Sequence, residues 1–490
     1  MKRESLGDII VAIAALVLYG CSLPPGIGWW DTGEYQTVPY IAGILHPTGF
    51  PAFTLAGWAF THIVPFGNIA WRTSVMTALA GALATGLLAR TARELGARWD
   101  TACAGALLFA VSSISWQHAT RAGVETLTLL FGACAFASAL AWYRDQHPGA
   151  LVATGLAAGL ALATHPISIW YLPGLTVLVG AGCRKRTPSA RALLGAGGAF
   201  VAALALYAYL PLRSFAITAA GLDPAARVLG ITGLPFWDYN HTANLSNFAR
   251  EVTGADFGAS SSLGAWLNLA QYPAYLARFS TTVFAQFGWT GSIAAALGVL
   301  ASARRWPLAL GLALGALGVI PFSMAYSVLV DAQKYYLLLV WIAALFAILG
   351  ADRTRAALAA RFPRIDALPA LALAVAVILT AFSNAHFFDQ RYDRNGRGII
   401  DTVRANTPDD AIVFAGWSYV TPLGYAAYAE HSLGHRLPVA NVPHDRIAAF
   451  ARRFTVYYMP FPENELVLAG ARLAYVANTH PPLYRVIATP

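Results

Sequence analysis

Apolar runs of about 18 residues or more recur through residues 1–383, and each is long enough to cross a bilayer as a helix. Backbone groups in lipid find no water to bond, so such a chain must fold as a bundle of helices. The charge content agrees. Only 12% of the 490 residues are charged and 57% are hydrophobic, where a soluble domain carries about 25% charged residues. The four cysteines (Cys21, Cys103, Cys134, Cys183) lie scattered in or beside apolar segments. They form neither a disulfide framework nor a metal spacing. Residues 1–23 have the parts of a signal peptide, ending in Leu18-Tyr19-Gly20-Cys21. An uncleaved first span is the better reading, because further spans follow.

Lysine and arginine gather on the cytoplasmic side of short loops. With Lys2 and Arg3 inside, that rule gives about eleven spans. They are 7–23, 71–90, 101–117, 123–142, 150–164, 167–183, 192–211, 281–302, 306–327, 335–350 and 367–383. The solution keeps 24–70 outside, with 32–45 and 52–64 as helices along or dipping into the outer interface. A second outer loop covers 212–270. The net charge of +9 is then mostly topology, and no nucleic-acid partner is needed to explain it. Residues 384–490 hold no spanning run, and an odd span count places them outside. Strands at 411–416, at 436–442, in FTVYYM and in LAYVANT, with a helix at 417–433, predict a small α/β domain there. The expected fold class is a polytopic α-helical membrane protein (1–383) with a small extracytoplasmic α/β domain (384–490).

The stretch WWDTGEY (29–35) then sets two carboxylates, Asp31 and Glu34, beside the first span. HPTGFPAF (46–53) follows after a short gap. One reading is a helix start, with Asp31 as N-cap and Glu34 reaching back to it. The other is a general base, or a base plus a metal ligand, at the membrane surface. Burial near lipid would raise a carboxylate's pKa and suit it to take a proton. A glycoside hydrolase needs two carboxylates. A transferase using a phosphate-linked sugar needs one base for the acceptor hydroxyl and cations for the phosphate. Outer-face cations are scarce: Arg121, Arg213 and Lys334 are the candidates, each also readable as a snorkelling side chain. His46 either bonds a donor phosphate or caps the turn before Pro47. Glu125 stands four residues after Arg121 and either pairs with it or acts directly. His165 ends a span. Trp237 and Asp238, in LPFWDYNH, belong either to the acceptor side or to an ordered turn. No Walker A, dinucleotide fingerprint, H-E-x-x-H or paired CxxC occurs. A donor carried on a lipid would remove the need for a nucleotide-binding fold.

The two motifs together resemble the D-[CST]-G-E-[FY]…H-P-P-G-[YFA]-P signature of the bacterial domain-of-unknown-function family 2723. That family is similar to protein O-mannosyltransferases of the GT-C superfamily. RAGVETLTL, GLALATHP, YLPLRS, VDAQKYYLL and TPDDAIVFAGWSY extend the resemblance along most of the chain. It implies a GT-C membrane glycosyltransferase of the bacterial inner membrane. Such an enzyme moves a sugar, mannose among the candidates, from a polyprenyl phosphate to an outer-face hydroxyl. The acceptor would be a Ser/Thr of an exported protein, or a glycan or lipid. By this resemblance Asp31 is the base, Glu34 its helper or a ligand for Mg or Mn, and His46 a neighbour of the donor phosphate. Asp331 opens the segment similar to D-x-x-x-Y-[FY]-L. Thr48 departs from the second proline of the signature, Thr126 from a common valine, and Phe236–Tyr239 match a W-G-D-P-like loop only loosely. The rival classes are a transporter or lipid-linked-sugar flippase, and a non-catalytic scaffold. A transporter's ionisable residues would centre on the midplane within inverted repeats, neither of which shows here.

Overall fold

The computed structural model describes residues 3–257, 262–325, 329–460, 468 and 470–489. The chain opens with α1 (Arg3–Cys21), α2 (Asp31–Ile41), α3 (Pro51–Ile63) and the long α4 (Ile69–Glu94). Next come α5 (Trp99–Val111), α6 (Ser113–Thr120), α7 (Glu125–Asp145), α8 (Pro148–Thr164), α9 (Leu172–Lys185), α10 (Ala190–Leu204) and α11 (Tyr209–Ala220). Three short helices, α12 (Pro224–Leu229), α13 (Leu245–Thr253) and α14 (Ser262–Leu267), occupy the second long loop. The membrane part closes with α15 (Tyr272–Ser302), α16 (Trp306–Leu317), α17 (Val319–Ala325), α18 (Leu337–Arg361) and α19 (Leu368–Phe388). Among the described residues seven stretches are long and apolar enough to cross a membrane. One of them, Leu269–Ala325, is broken at Ala303–Arg305. Leu6–Cys21, Trp99–Val111 and Pro148–Thr164 are shorter apolar helices.

The centre of the bundle is α18, fully enclosed from Leu337 to Ile348. Glycines let α15 close onto it. A Cβ on Gly298 would strike the Phe346 carbonyl, and one on Gly350 the Ala294 carbonyl. Small residues at such crossings matter in lipid, where helices gain little from apolar burial and rely on close backbone packing.

The outer domain runs α20 (Asn395–Asn406), β1 (Ile412–Ala415), α21 (Trp417–Tyr428), β2 (Leu437–Val439), α22 (His444–Ala451), β3 (Val456–Met459), β4 (Ala471–Tyr475) and β5 (Tyr484–Ala488). The sheet order is β2-β1-β3-β5-β4. The first three strands are parallel, while β5 pairs antiparallel with β3 and β4. Strand β1 is buried at every position, as a parallel strand covered on both faces should be. Strand β5 and helices α20 and α22 were not foreseen from the sequence. Helix α21 stops at Tyr428, short of the expected 433.

Helix α2 departs from the interfacial reading. Gly33 to Pro39 are all buried in protein. Gly33 is where α21 crosses, since a Cβ there would press on the Thr421 side chain. Gln36 locks the other flank. Its Oε1 accepts from the Gly28 N–H at 2.8 Å, and its Nε2 donates to the Ala70 carbonyl and Ser74 Oγ at 3.2 and 3.1 Å. Helix α3 keeps Trp58 and Ile63 exposed, the pattern of an interfacial helix.

Candidate active site

Asp31 is the first residue of α2 and does not cap it. The capping position is Trp30, at φ 59° and ψ −150°, with no side-chain cap bond. That backbone region is one glycine favours and costs a larger residue about 1–3 kcal/mol. The turn leaves the Asp31 carboxylate for distant partners. Trp417 Nε1–H, at the start of α21, donates to Oδ1 at 2.7 Å. Lys334 Nζ stands 3.6 Å from Oδ2. Burial alone would raise Asp31, but the charges of His46 and Lys334 and the Trp417 N–H together hold it below the ordinary aspartate value. The carboxylate is therefore ionised at neutral pH. This reverses the sequence expectation, because burial is outweighed by donors the sequence did not reveal.

Glu34 lies one turn further, fully enclosed. It accepts from the His46 backbone N–H at 2.9 Å through Oε1, and its Oε2 pairs with His46 Nδ1. Both halves of the sequence motif are thus one unit. Burial alone would push the His46 imidazole down, yet the Glu34 carboxylate holds it up at about 9. The pair keeps one proton through neutral pH, so it is neutral overall and turns an N–H-bearing imidazole toward Asp31. Tyr35, Phe50, Phe257 and Trp417 box the imidazole. Loss of that proton predicts an activity fall as pH rises through about 9. Glu34→Gln removes the charge that holds the proton, leaves burial dominant, and should move this alkaline limb to lower pH. A pH–rate profile of both proteins checks it.

Two cavities meet at this carboxylate. The larger, about 450 Å³, has apolar walls that include Phe50, Phe257, Phe322 and Tyr335. Its charged groups are Asp31, Lys334 and protonated His46. The smaller, about 220 Å³, is lined by Arg121, Glu125, Lys334, Gln390 and Asp393 among others. Asp31, Trp30, Tyr35 and Lys334 belong to both walls.

The remaining candidates divide between these walls and the scaffold. His165 lines the larger cavity and packs against Phe50 and Tyr335. Burial, with Lys334 and His46 adding to it, holds its imidazole down at about 3, so it is neutral. Its Nδ1 accepts from the Ile167 N–H at 3.0 Å, which places the ring proton on Nε2. Arg121 and Glu125 face the smaller cavity only. Arg213 lines neither cavity. It donates to the carbonyls of Ala42 and Ile41 at 2.5 and 3.1 Å, closing the carboxyl end of α2. Asp238 is closed on His241 Nδ1 at 2.9 Å. Trp237 packs on Tyr428, and its carbonyl accepts from the Ile44 N–H at 3.1 Å. Trp237 thereby holds the first outer loop against the outer domain. The Asp331 side chain lies outside the described residues.

Sequence reasoning missed four residues here. Trp417, Tyr239 and Asn441 line the larger cavity, and Asn441 Nδ2 donates to the Tyr239 hydroxyl at 2.9 Å. Glu251 on α13 is fully enclosed beside the Gly49 turn. Asn240 Nδ2 donates to its Oε2 at 2.8 Å, while Oε1 has no partner. Burial pushes its carboxyl well above the ordinary value. The folded chain then holds a proton that the unfolded chain releases above about pH 4.3, so this group costs stability as pH rises. Glu251→Gln should therefore raise the melting temperature at pH 7.5 by about 2 °C, with a smaller gain at pH 5. Thermal unfolding at both values checks it.

The family resemblance also makes Asp31 and Glu34 candidate ligands for Mg or Mn. All four of their carboxylate oxygens already face N–H donors or an ammonium group. Among the described residues no group of three or more His, Cys, Asp or Glu side chains could hold a metal ion. A divalent ion does not fit this arrangement.

The fold is shared with solved structures. The chain aligns with ArnT from Cupriavidus metallidurans bound to undecaprenyl phosphate at a TM-score of 0.55, 14% identity, 98% of this chain and 99% of that one. It aligns with the oligosaccharyltransferase AglB from Archaeoglobus fulgidus, in complex with an inhibitory peptide and a dolichol-phosphate, at 0.52, 15% identity, 92% and 69%. At such identities the likeness is one of fold, and it agrees with the seven stretches long and apolar enough to cross a membrane. Residues 31–188 match the family described as the Protein O-mannosyl-transferase TMEM260 N-terminal domain. The mouse Protein O-mannosyl-transferase TMEM260 is 28% identical over 214 residues, 43% of this chain and 30% of that protein. The Dictyostelium discoideum relative of that name is 25% identical over 134 residues, 27% and 16%. The chain thus spans under a third of these relatives' length.

Proposed function

We propose that this chain is a glycosyltransferase that moves one sugar from a polyprenyl phosphate to a hydroxyl group. The observation that carries the proposal is the position of Asp31, an ionised carboxylate in the wall shared by two cavities. The larger cavity has apolar walls, the Lys334 ammonium and a His46 imidazolium whose charge Glu34 balances, beside the single Asp31 carboxylate, and N–H donors of this kind suit a lipid-linked phosphate. The smaller has Arg121 and Lys334 against Asp31, Glu125 and Asp393, which disfavours an anion and suits a neutral hydroxyl acceptor.

In the reaction the acceptor oxygen bonds to the sugar's anomeric carbon. The bond from that carbon to the phosphate oxygen breaks, and its electron pair leaves with polyprenyl phosphate. Asp31 takes the hydroxyl proton. The leaving group gains one negative charge, and Lys334 and His46 stand ready for it, an electrostatic stabilisation built in before the reaction. Neutral His165 offers an Nε2–H to the same space. Glu34 positions His46, and Arg121 sits on the acceptor side.

The matched relatives are named for protein O-mannosyl transfer, so mannose and a Ser/Thr acceptor are the first donor and acceptor to test. The motif resemblance to domain-of-unknown-function family 2723 supports the same chemistry. The positive-inside rule supports an outer Asp31 face with the N-terminus cytoplasmic, and the motif resemblance supports a bacterial inner membrane. The purified chain in nanodiscs, titrated with polyprenyl-phosphate mannose, should bind it saturably, with phosphate density beside Lys334 and His46. Saturable binding elsewhere, or none, would overturn the donor site.

A further inference from the structure

A second built recess lies at the far end of the bundle. Helix α18 has 25 residues and is therefore about 37 Å long. Lys334 precedes its first turn, and Arg353 lies in its last third. Arg353 is 16 residues past Leu337, so it lies about 24 Å along the helix from the Asp31 end, most of a bilayer's hydrocarbon thickness. Around it the ends of α15, α16 and α18 and the turn at Leu95–Ala97 border an open recess of about 860 Å³. Arg304, Arg305 and Arg353 line this space with one acid, Asp352. The walls between them include Leu297, Leu300 and Leu308.

The arginines at this face differ in what they meet. Arg90 pairs with Glu94, Arg93 with Asp8, Arg144 with Asp145, and Arg355 with Asp100 and Asp366. The side chains of Arg304, Arg305 and Arg353 make no hydrogen bond or ion pair with a described residue; Arg184, Arg186 and Arg191 make none either, but they line no such recess. Asp352 is already engaged, accepting from the Arg98 N–H at 2.9 Å. Topology alone explains arginines at this face. It does not explain three of them, uncompensated, round one recess with leucine walls. Basic pockets between helix ends on this side of a membrane suit lipid head groups.

We infer that this recess binds an anionic phospholipid of the leaflet opposite Asp31, its phosphate among Arg304, Arg305 and Arg353 and its acyl chains along Leu297, Leu300 and Leu308. The inference does not depend on the transfer reaction. Each arginine near an anionic head group favours it about fivefold, so three favour it at most about 100-fold.

The full chain, stripped of lipid in detergent, is offered phosphatidylglycerol, phosphatidylcholine or inorganic phosphate, with retained lipid measured by native mass spectrometry and stability by thermal unfolding. The wild type should keep phosphatidylglycerol at least tenfold over phosphatidylcholine and gain stability from it, but not from inorganic phosphate. Arg304→Gln/Arg305→Gln/Arg353→Gln should lose that preference. Arg184→Gln/Arg186→Gln, at the far end of α9 and outside the recess, should keep it. Equal retention of the two lipids by the wild type overturns the site without any variant. Equal stabilisation by phosphate, or equal loss in both variants, overturns it as well.

Discussion

Asp31→Asn should lower sugar transfer by about 100- to 10,000-fold, the usual contribution of a positioned base. The substitution keeps the shape, and the amide oxygen can still accept from Trp417. What disappears is the negative charge that takes the acceptor's proton. Donor affinity should be unchanged or tighter, because a carboxylate beside a phosphate repels it. Single-turnover release of polyprenyl phosphate, measured alongside donor binding, separates the two effects. If binding weakens in proportion to rate, Asp31 positions the donor and is not the base.

Lys334→Gln carries the second large effect. Lys334 stands 3.6 Å from Asp31 and lines both cavities. A charge-assisted bond to an anion contributes about 1.5–3 kcal/mol, so kcat/KM should fall about 10- to 100-fold. The pH profile should change as well. Burial pulls Asp31 up and Lys334 helps to hold it down. Without Lys334 the Asp31 carboxyl rises, and the acid limb of the profile moves to higher pH. A simple loss of phosphate contact would lower the rate and leave that limb in place.

The parts of this site that are close in sequence were legible from it. Asp31, Glu34 and His46 lie within one short loop, so their motifs single them out as candidates, and the fold brings them together. The apolar helices were legible because hydropathy acts along the chain, although seven stretches and three shorter apolar helices stand where about eleven spans are expected. Contacts made only by folding were not. Trp417 bonds Asp31 across 386 positions, and nothing local marks a tryptophan after a strand as that partner. A structural rule could have pointed there: ligands gather at the carboxyl ends of parallel strands, and Gly416-Trp417 follows β1. Asp31 and Glu34 fit a capping box by spacing, yet the Trp30 backbone turns them to other uses. Arg213 looked like a phosphate cation from its place at a span end, but α2's terminal carbonyls take it. Glu251 escaped notice because a polar helix in a long loop normally faces water. Here the Gly49 turn covers it.

The most direct test is the stoichiometry of the reaction itself. Purified wild type receives polyprenyl-phosphate mannose labelled in the sugar, with a mixture of Ser/Thr-containing peptides, and both products are counted. One polyprenyl phosphate should be released for each mannose found on peptide, and Asp31→Asn should give neither. Labelled donor carried across a vesicle membrane with its sugar still attached would contradict the account and make the chain a flippase. Equal release by Asp31→Asn would contradict the role of Asp31.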